Sequence, residues 1–244
     1  MPAANSSPRW PRPTGNSQPM GPQTRFITSE ICQVGGPGQT DQSDAAIYLV
    51  HFADAAVLID AGSGRAGERV LMNIEAAGVQ PEQVEALLLT HCHYDHSGGA
   101  AEFRRRFGWQ VAIHELEAAW LEAGDSQVSA ACWYGDHLTP CPVDRRLAGG
   151  DRILLAGRPL EVVHIPGHSP GSVAFVVDSD DRRVVFAQDV HGPIHAALRS
   201  SVRDYRASLR KLLALEADIL CEGHYGIFVG KAKVASFIER FIDG

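Results

Sequence analysis

Three histidines and an aspartate crowd into one short stretch, Thr90-His91-Cys92-His93-Tyr94-Asp95-His96-Ser97-Gly98-Gly99. His91 and His93 sit two apart, so an extended turn aims both imidazoles at one point. Asp95 and His96 follow as the chain turns and face a second point close by. One group supplies imidazole nitrogens, and the other mixes an imidazole with a hard oxygen. Both donor sets suit Zn²⁺ and also accept Fe or Mn. A solvated His-rich turn is the bland alternative; three His and an Asp at this spacing, followed by two glycines, argue against it.

What positions the motif is a strand and a helix. Val84 to Leu89 is mostly apolar and reads as a short strand. Gly98-Gly99-Ala100-Ala101-Glu102-Phe103 opens a helix. The motif thus lies on a strand-to-helix turn, where α/β folds place their chemistry.

Further potential ligands stand at the ends of later strands. Leu160 to Val163 leads to His164-Ile165-Pro166-Gly167-His168-Ser169-Pro170-Gly171-Ser172. Arg183 to Phe186 ends at Gln188-Asp189, and Ile219-Leu220-Cys221 ends at Glu222-Gly223-His224. Alone, each is a polar loop residue. Together with the first motif, His168 completes a three-imidazole site with His91 and His93, and His224 joins Asp95 and His96. Asp189 can bridge the two positions through its carboxylate oxygens. His164, on the apolar strand, is the weaker of its pair. His51 and His114 read as packing or capping residues. A Cys132/His137/Cys141 cluster has no recognised metal spacing and is set aside. Asp60 ends the apolar strand Ala55 to Ile59 before a Gly-rich loop, where it is expected to orient the metal-binding turn from behind its ligands; helix capping is the rival role.

The chain has 244 residues, enough for one large α/β domain. Its net charge of −7 argues against a nucleic-acid partner. Five cysteines without framework spacing favour reduced thiols and a cytoplasmic setting. The sequence holds no apolar run near twenty residues, so no transmembrane helix is expected, and no secretory signal. Residues 1–24, rich in Pro, Ser, Asn and Gly, read as a disordered tail ahead of a single domain over 25–244. Strands are expected between Arg25 and Gly62, including a pair that turns at Ala53-Asp54. Helices are expected over 68–77, 115–122, about 202–213 and about 231–242. The stretch 124–150 has little periodicity and reads as a long loop that covers the site and shapes substrate choice.

Asp60, His91-x-His93-x-Asp95-His96, Pro-Gly-His168-Ser-Pro-Gly-Ser, Asp189 and Glu-Gly-His224 together resemble the metallo-β-lactamase superfamily, over roughly residues 25 to 244. The resemblance implies an α/β fold of the αββα four-layer sandwich type, with a two-metal site at one edge. It implies two divalent ions, Zn first, with Fe or Mn as alternatives. β-Lactamases of this superfamily typically carry Cys where Asp189 falls or lack the bridging carboxylate, so Asp189 points to the glyoxalase II-like and lactonase-like branches. Glutathione thioesters are not expected as substrates, because only Lys231 and Lys233 follow His224 closely. The implied reaction is hydrolysis of an ester, thioester or lactone of a small molecule by a metal-bridging hydroxide, with Asp95 holding the nucleophile and relaying its proton. His191 and Tyr225, beside ligands, are candidate substrate contacts. A mononuclear-iron sulfur dioxygenase shares the same motif and is the alternative; a nuclease and an inactive metal-binding scaffold rank below it.

Overall fold

A computed structural model describes residues 21–242. Its strands fall into two sheets. The first runs in sequence order: β1 Arg25–Phe26, β2 Ile31–Gly35, β3 Ile47–Phe52, β4 Ala55–Ile59, β5 Val84–Leu88, β6 Gln110–His114 and β7 Arg145–Leu147. The second comprises β8 Arg152–Leu155, β9 Arg158–His164, β10 Val173–Ser179, β11 Arg182–Phe186, β12 Ile219–Cys221 and β13 Ile227–Val229, adjacent in that order. The helices are α1 Gly67–Ala76, α2 Tyr94–Ser97, α3 Ala100–Phe107, α4 Glu115–Ala123, α5 Val202–Ala214 and α6 Lys231–Glu239.

Strand residues alternate between two cores because successive side chains leave a strand on opposite faces. Along β3, Ile47 and Leu49 pack with α1, α3 and α4, whereas Tyr48, Val50 and Phe52 pack between the sheets. Along β10, Val173, Phe175 and Val177 face the first sheet, while Ala174 and Val176 face α5 and α6. Both faces of each sheet are covered, so these strands read as continuous apolar runs rather than half-polar ones. The layers are therefore helix, sheet, sheet, helix, the expected αββα sandwich.

Strands β4, β5, β6 and β7 pair in parallel, as do β11 and β12. Their carboxyl ends share one edge of the sandwich. Main-chain bonds stitch the two sheets there: Ala46 N–H donates to Gly223 O at 2.8 Å, and Val173 N–H to Thr90 O at 2.9 Å. The loops of the first sheet also pack tightly against one another at this edge. A Cβ on Gly98 would stand 2.5 Å from Ser63 O.

Several expectations need correction or addition. The stretch 124–150 is not structureless: it holds a 3₁₀ turn over Ala131–Tyr134 and the edge strand β7. It is also pinned, with Arg65 donating to Tyr134 O and Asp136, and Tyr94 donating through its hydroxyl to Asp136. The Tyr94 hydroxyl, the His137 N–H and Arg65 hold the Asp136 carboxyl at about 2. The single-turn α2 and strand β13 had no periodicity to announce them. Residues 1–20 of the expected tail lie outside the described residues. The Gln23 N–H donates to Asn73 Oδ1 at 2.7 Å and the Thr24 hydroxyl to Asn73 O at 2.8 Å. No helix among the described residues is long and apolar enough to cross a membrane.

Candidate metal centre

The motif leaves β5 at Leu88 and immediately meets Asp60, which leaves β4. The Asp60 carboxylate is fully buried. It accepts the Thr90 N–H at 2.8 Å and the Thr90 hydroxyl, and lies 2.8 Å from His96 Nδ1. Burial pushes its pKa up, while His96 and Thr90 pull against that. Thr90 Oγ1 is spent on Asp60, so His91 Nδ1, 3.1 Å away, is the donor to that oxygen. His168 Nδ1 stands 2.8 Å from the Pro193 carbonyl and must donate to it. In His91, His96 and His168 the hydrogen is thereby held on Nδ1, and the lone pair on Nε2 is free to point inward.

These lone pairs converge. Ligand atoms of His91, His93, His168 and Asp189 lie within 4.8 Å of one another, as do those of Asp95, His96 and His224. Asp189 serves both groups. Its Oδ2 is 3.0 Å from His168 Nε2 and 3.7 Å from His91 Nε2. Its Oδ1 is 3.1 Å from His224 Nε2 and 3.3 Å from His96 Nε2. Asp95 Oδ2 is 3.3 Å from His224 Nε2 and 3.6 Å from His96 Nε2. His93 presents Nδ1, 2.8 Å from His168 Nε2.

Buried donors without partners test whether this set suits a cation. His91 Nε2, His96 Nε2 and Asp189 Oδ1 are buried and have no hydrogen-bond partner among the described residues. Such orphaned atoms are costly unless something satisfies them, and all three face the same small volume. Burial first, and the neighbouring imidazoles next, push His91 and His93 far below the ordinary histidine range, so both rings are neutral donors. Burial opposes charge on His96 too, but Asp95, Asp189 and Asp60 outweigh it and raise its pKa well above normal, so a cation at its Nε2 would take the place of a proton there. Asp189 and Asp95 raise His224 to about 9 against the effect of burial. Burial alone would raise Asp189; His96, His224 and His168 instead hold it well below the carboxylate range. The donors fit one position of three imidazoles and one oxygen, and a second of two imidazoles and two oxygens.

The other candidates fall around this centre. His191 Nδ1 is 2.7 Å from Glu222 Oε1, and its ring stands 5.1 Å from that of His224. Tyr225 is 58% exposed with its ring 4.8 Å from His191, at the rim of the centre. His164 turns away: its Nε2 donates to Pro170 O and its ring stacks on His114 at 4.1 Å. Among the described residues no ligand cluster includes Cys132, His137 or Cys141.

Two residues here escaped the sequence reading. Glu222, fully buried, accepts the N–H groups of His224 and Tyr225 at 2.7 and 2.8 Å and so shapes the His224 loop. An acid directly after an apolar strand was its only signal. Tyr134 interacts through its hydroxyl with Asp95; burial first and that carboxylate next push the phenol far up, so it stays protonated. It lies in an aperiodic stretch, where nothing marks one aromatic above another.

The metallo-β-lactamase superfamily model matches residues 41–224. An acyl-coenzyme A thioesterase of Gallus gallus is 34% identical over 230 residues, covering 82% of this chain and 78% of that protein. A hydroxyacylglutathione hydrolase of Ruegeria pomeroyi is 32% identical, covering 75% of this chain and 63% of that protein. In structure, a subclass B3 metallo-β-lactamase of Bradyrhizobium japonicum superposes with a TM-score of 0.74 at 23% identity, covering 91% of this chain and 92% of the other. That likeness speaks to the fold alone. The chain belongs to the metallo-β-lactamase superfamily and is a metal-dependent hydrolase.

Proposed function

We propose that this hydrolase cleaves a thioester, ester or lactone bond of a small molecule, using two divalent ions, Zn²⁺ in the first instance. The observation that carries the reading is the Asp189 carboxylate, with one oxygen turned to each cluster of imidazoles. Relatives support the thioester end of the range. Besides the two named above, an atrochrysone carboxyl ACP thioesterase of Aspergillus fumigatus is 27% identical over 225 residues. All five cysteines are free, which supports a reducing, cytoplasmic compartment.

On this reading His91, His93 and His168 would hold one ion and Asp95, His96 and His224 the other, with an oxygen of Asp189 turned to each group. Divalent ions held there would lower the pKa of bound water to about 7 and polarise a substrate carbonyl, so that no Ser or Cys nucleophile would be needed. The protein's own groups do the rest. The Asp95 carboxylate, whose Oδ2 stands beside His224 and which the Tyr134 hydroxyl also reaches, takes the proton of the attacking water and delivers it to the leaving group. The protonated Tyr134 phenol restrains that carboxylate. Glu222 accepts from His191 Nδ1, leaving Nε2 of that ring to meet the acyl portion of the substrate, and Tyr225 lines the way in.

The test is metal analysis of purified protein beside a panel of thioesters, lactones, phosphodiesters and β-lactams. About two divalent ions per chain and turnover of thioesters or lactones are expected, with His93→Ala losing on the order of a thousandfold in kcat/KM. A single iron with O₂ consumption on a persulfide would instead identify a sulfur dioxygenase. Full hydrolytic activity in His93→Ala would overturn the reading.

A further inference from the structure

Glu117 lies in the first turn of α4, on the face that also buries Ala118 and Leu121. An acid there is out of pattern, and its carboxylate is 0% exposed. No Lys, Arg or His forms an ion pair with it among the described residues. Main-chain and hydroxyl donors satisfy it instead. Its Oε2 accepts the Cys92 N–H at 2.6 Å, and its Oε1 accepts the Gly171 N–H at 2.8 Å and the Ser169 hydroxyl. Ser169 in turn is held by Ser172 Oγ at 2.7 Å.

The positions of these donors are what matters. Cys92 stands between His91 and His93, and its carbonyl is fixed from the other side by the Ser97 hydroxyl at 2.9 Å. With both ends of that residue held, the directions in which His91 and His93 leave the backbone are set. Ser169 and Gly171 flank the other side of His168. One carboxylate therefore grips the two loops, from different sheets, that carry all three imidazoles of one cluster. Packing at the grip is tight: a Cβ at Gly171 would stand 2.7 Å from Glu117 Cγ. The Asp95/His96/His224 cluster has its own buried carboxylate, Asp60, and receives nothing from Glu117.

We propose that Glu117 is the positioning residue of the three-imidazole metal position, registering the His91–Cys92–His93 backbone against the His168 loop. This rests on the two-ion reading above. Its signature is selectivity: losing Glu117 weakens one metal position and spares the other. A carboxylate accepts at both oxygens, whereas the amide of Glu117→Gln must turn an NH₂ towards either Cys92 N–H or the Gly171 and Ser169 donors, so one loop is released. Partners that orient ligands from behind are worth 10–100-fold in metal affinity.

Zn²⁺ and Co²⁺ titrations against a chromophoric chelator, with the Co²⁺ visible spectrum reporting which position fills, provide the test. For Glu117→Gln the affinity of the three-imidazole position is expected to fall roughly 10–100-fold, with the second position unchanged. Ser169→Ala, which removes one donor and leaves the carboxylate, is expected to lose roughly 3–10-fold at the same position. Wild-type affinities at both positions in folded Glu117→Gln, or equal losses at both, overturn the proposal. Should Glu117→Gln fail to fold, an unchanged first position in Ser169→Ala overturns it. Wild-type protein that takes up fewer than two ions sinks the two-ion reading itself, a result independent of either variant.

Discussion

Asp60 and Asp189 both sit in left-handed backbone, at φ 63° and 53°. Aspartate tolerates that region better than most residues, though at a cost, and such outliers gather where a site demands them. For Asp60 the demand is a tautomer. Its carboxylate can only accept, so His96 Nδ1, 2.8 Å away, must carry the hydrogen and Nε2 the lone pair. Asp60→Asn inverts this. The amide oxygen is claimed by Thr90, the NH₂ faces His96 Nδ1, and the ring is driven to place its hydrogen on Nε2, pointing at the second metal position. Near-native folding is expected, with affinity at the Asp95/His96/His224 position down roughly 10–100-fold and the three-imidazole position retained. A chelator competition that finds both positions at wild-type strength would show that Asp60 does not set the tautomer. Most of the side chains that cluster here were legible because they are written as local spacing: His-x-His-x-Asp-His on one turn, and a candidate ligand at each of three strand ends. Asp60 was legible as an acid ending an apolar strand. Glu117 and Tyr134 were not, because what makes them matter is contact with residues far away in the chain, and no local pattern records that.

Among the elements, α4 shows how a helix end can be tied to pH. Its N-cap is His114, whose Nδ1 accepts the Leu116 N–H at 3.3 Å. The ring is 3% exposed and stacks on His164 of β9. Burial first, then His164, push its pKa down to about 4, against a weak pull from Glu115 and Asp151. A base whose folded pKa lies below its unfolded value of about 6.5 stays neutral in the native protein while the unfolded chain takes up its proton. Its contribution is thus whole above pH 6.5 and is lost as pH falls towards 4. Protonation of Nδ1 would also remove the acceptor that caps α4. Asn at 114 keeps a capping oxygen and cannot titrate. Between pH 7 and 4.5, wild type is expected to lose about 2 kcal/mol more unfolding free energy than His114→Asn. Parallel denaturant-unfolding profiles for the two would contradict this. The elements that were legible are the periodic ones. Strand β5 and helices α1, α4 and α5 announce themselves by apolar spacing. The single turn α2 is too short to show a period, and the edge strands β7 and β13 are paired on one side only, so their residues Arg145-Arg146-Leu147 and Ile227-Phe228-Val229 are set by a neighbour rather than by their own composition.

For the whole molecule, the candidate centre is also a joint. His91, His93, Asp95 and His96 follow β5 of the first sheet, while His168, Asp189 and His224 follow β9, β11 and β12 of the second. Ions bound to this set would cross-link the two halves of the sandwich at the edge where Ala46 and Val173 already bridge them. Across this joint His168 Nε2 and His93 Nδ1 stand 2.8 Å apart, within hydrogen-bond distance. Metal therefore binds the native state and has no comparable site in the unfolded chain, so it stabilises by mass action: about 4 kcal/mol for free ion at a thousand times its dissociation constant. For a domain of this size that is a rise in Tm of roughly 10 °C. Chelation is expected to lower Tm by about that much and to speed amide exchange first in the loops at this edge, leaving β3, β4 and β10 protected. Zn²⁺ should restore both, and His168→Ala should respond more weakly because one leg of the cross-link is gone. Chelated and zinc-loaded protein with the same Tm and the same exchange pattern would mean that the cluster does not join the sheets through metal.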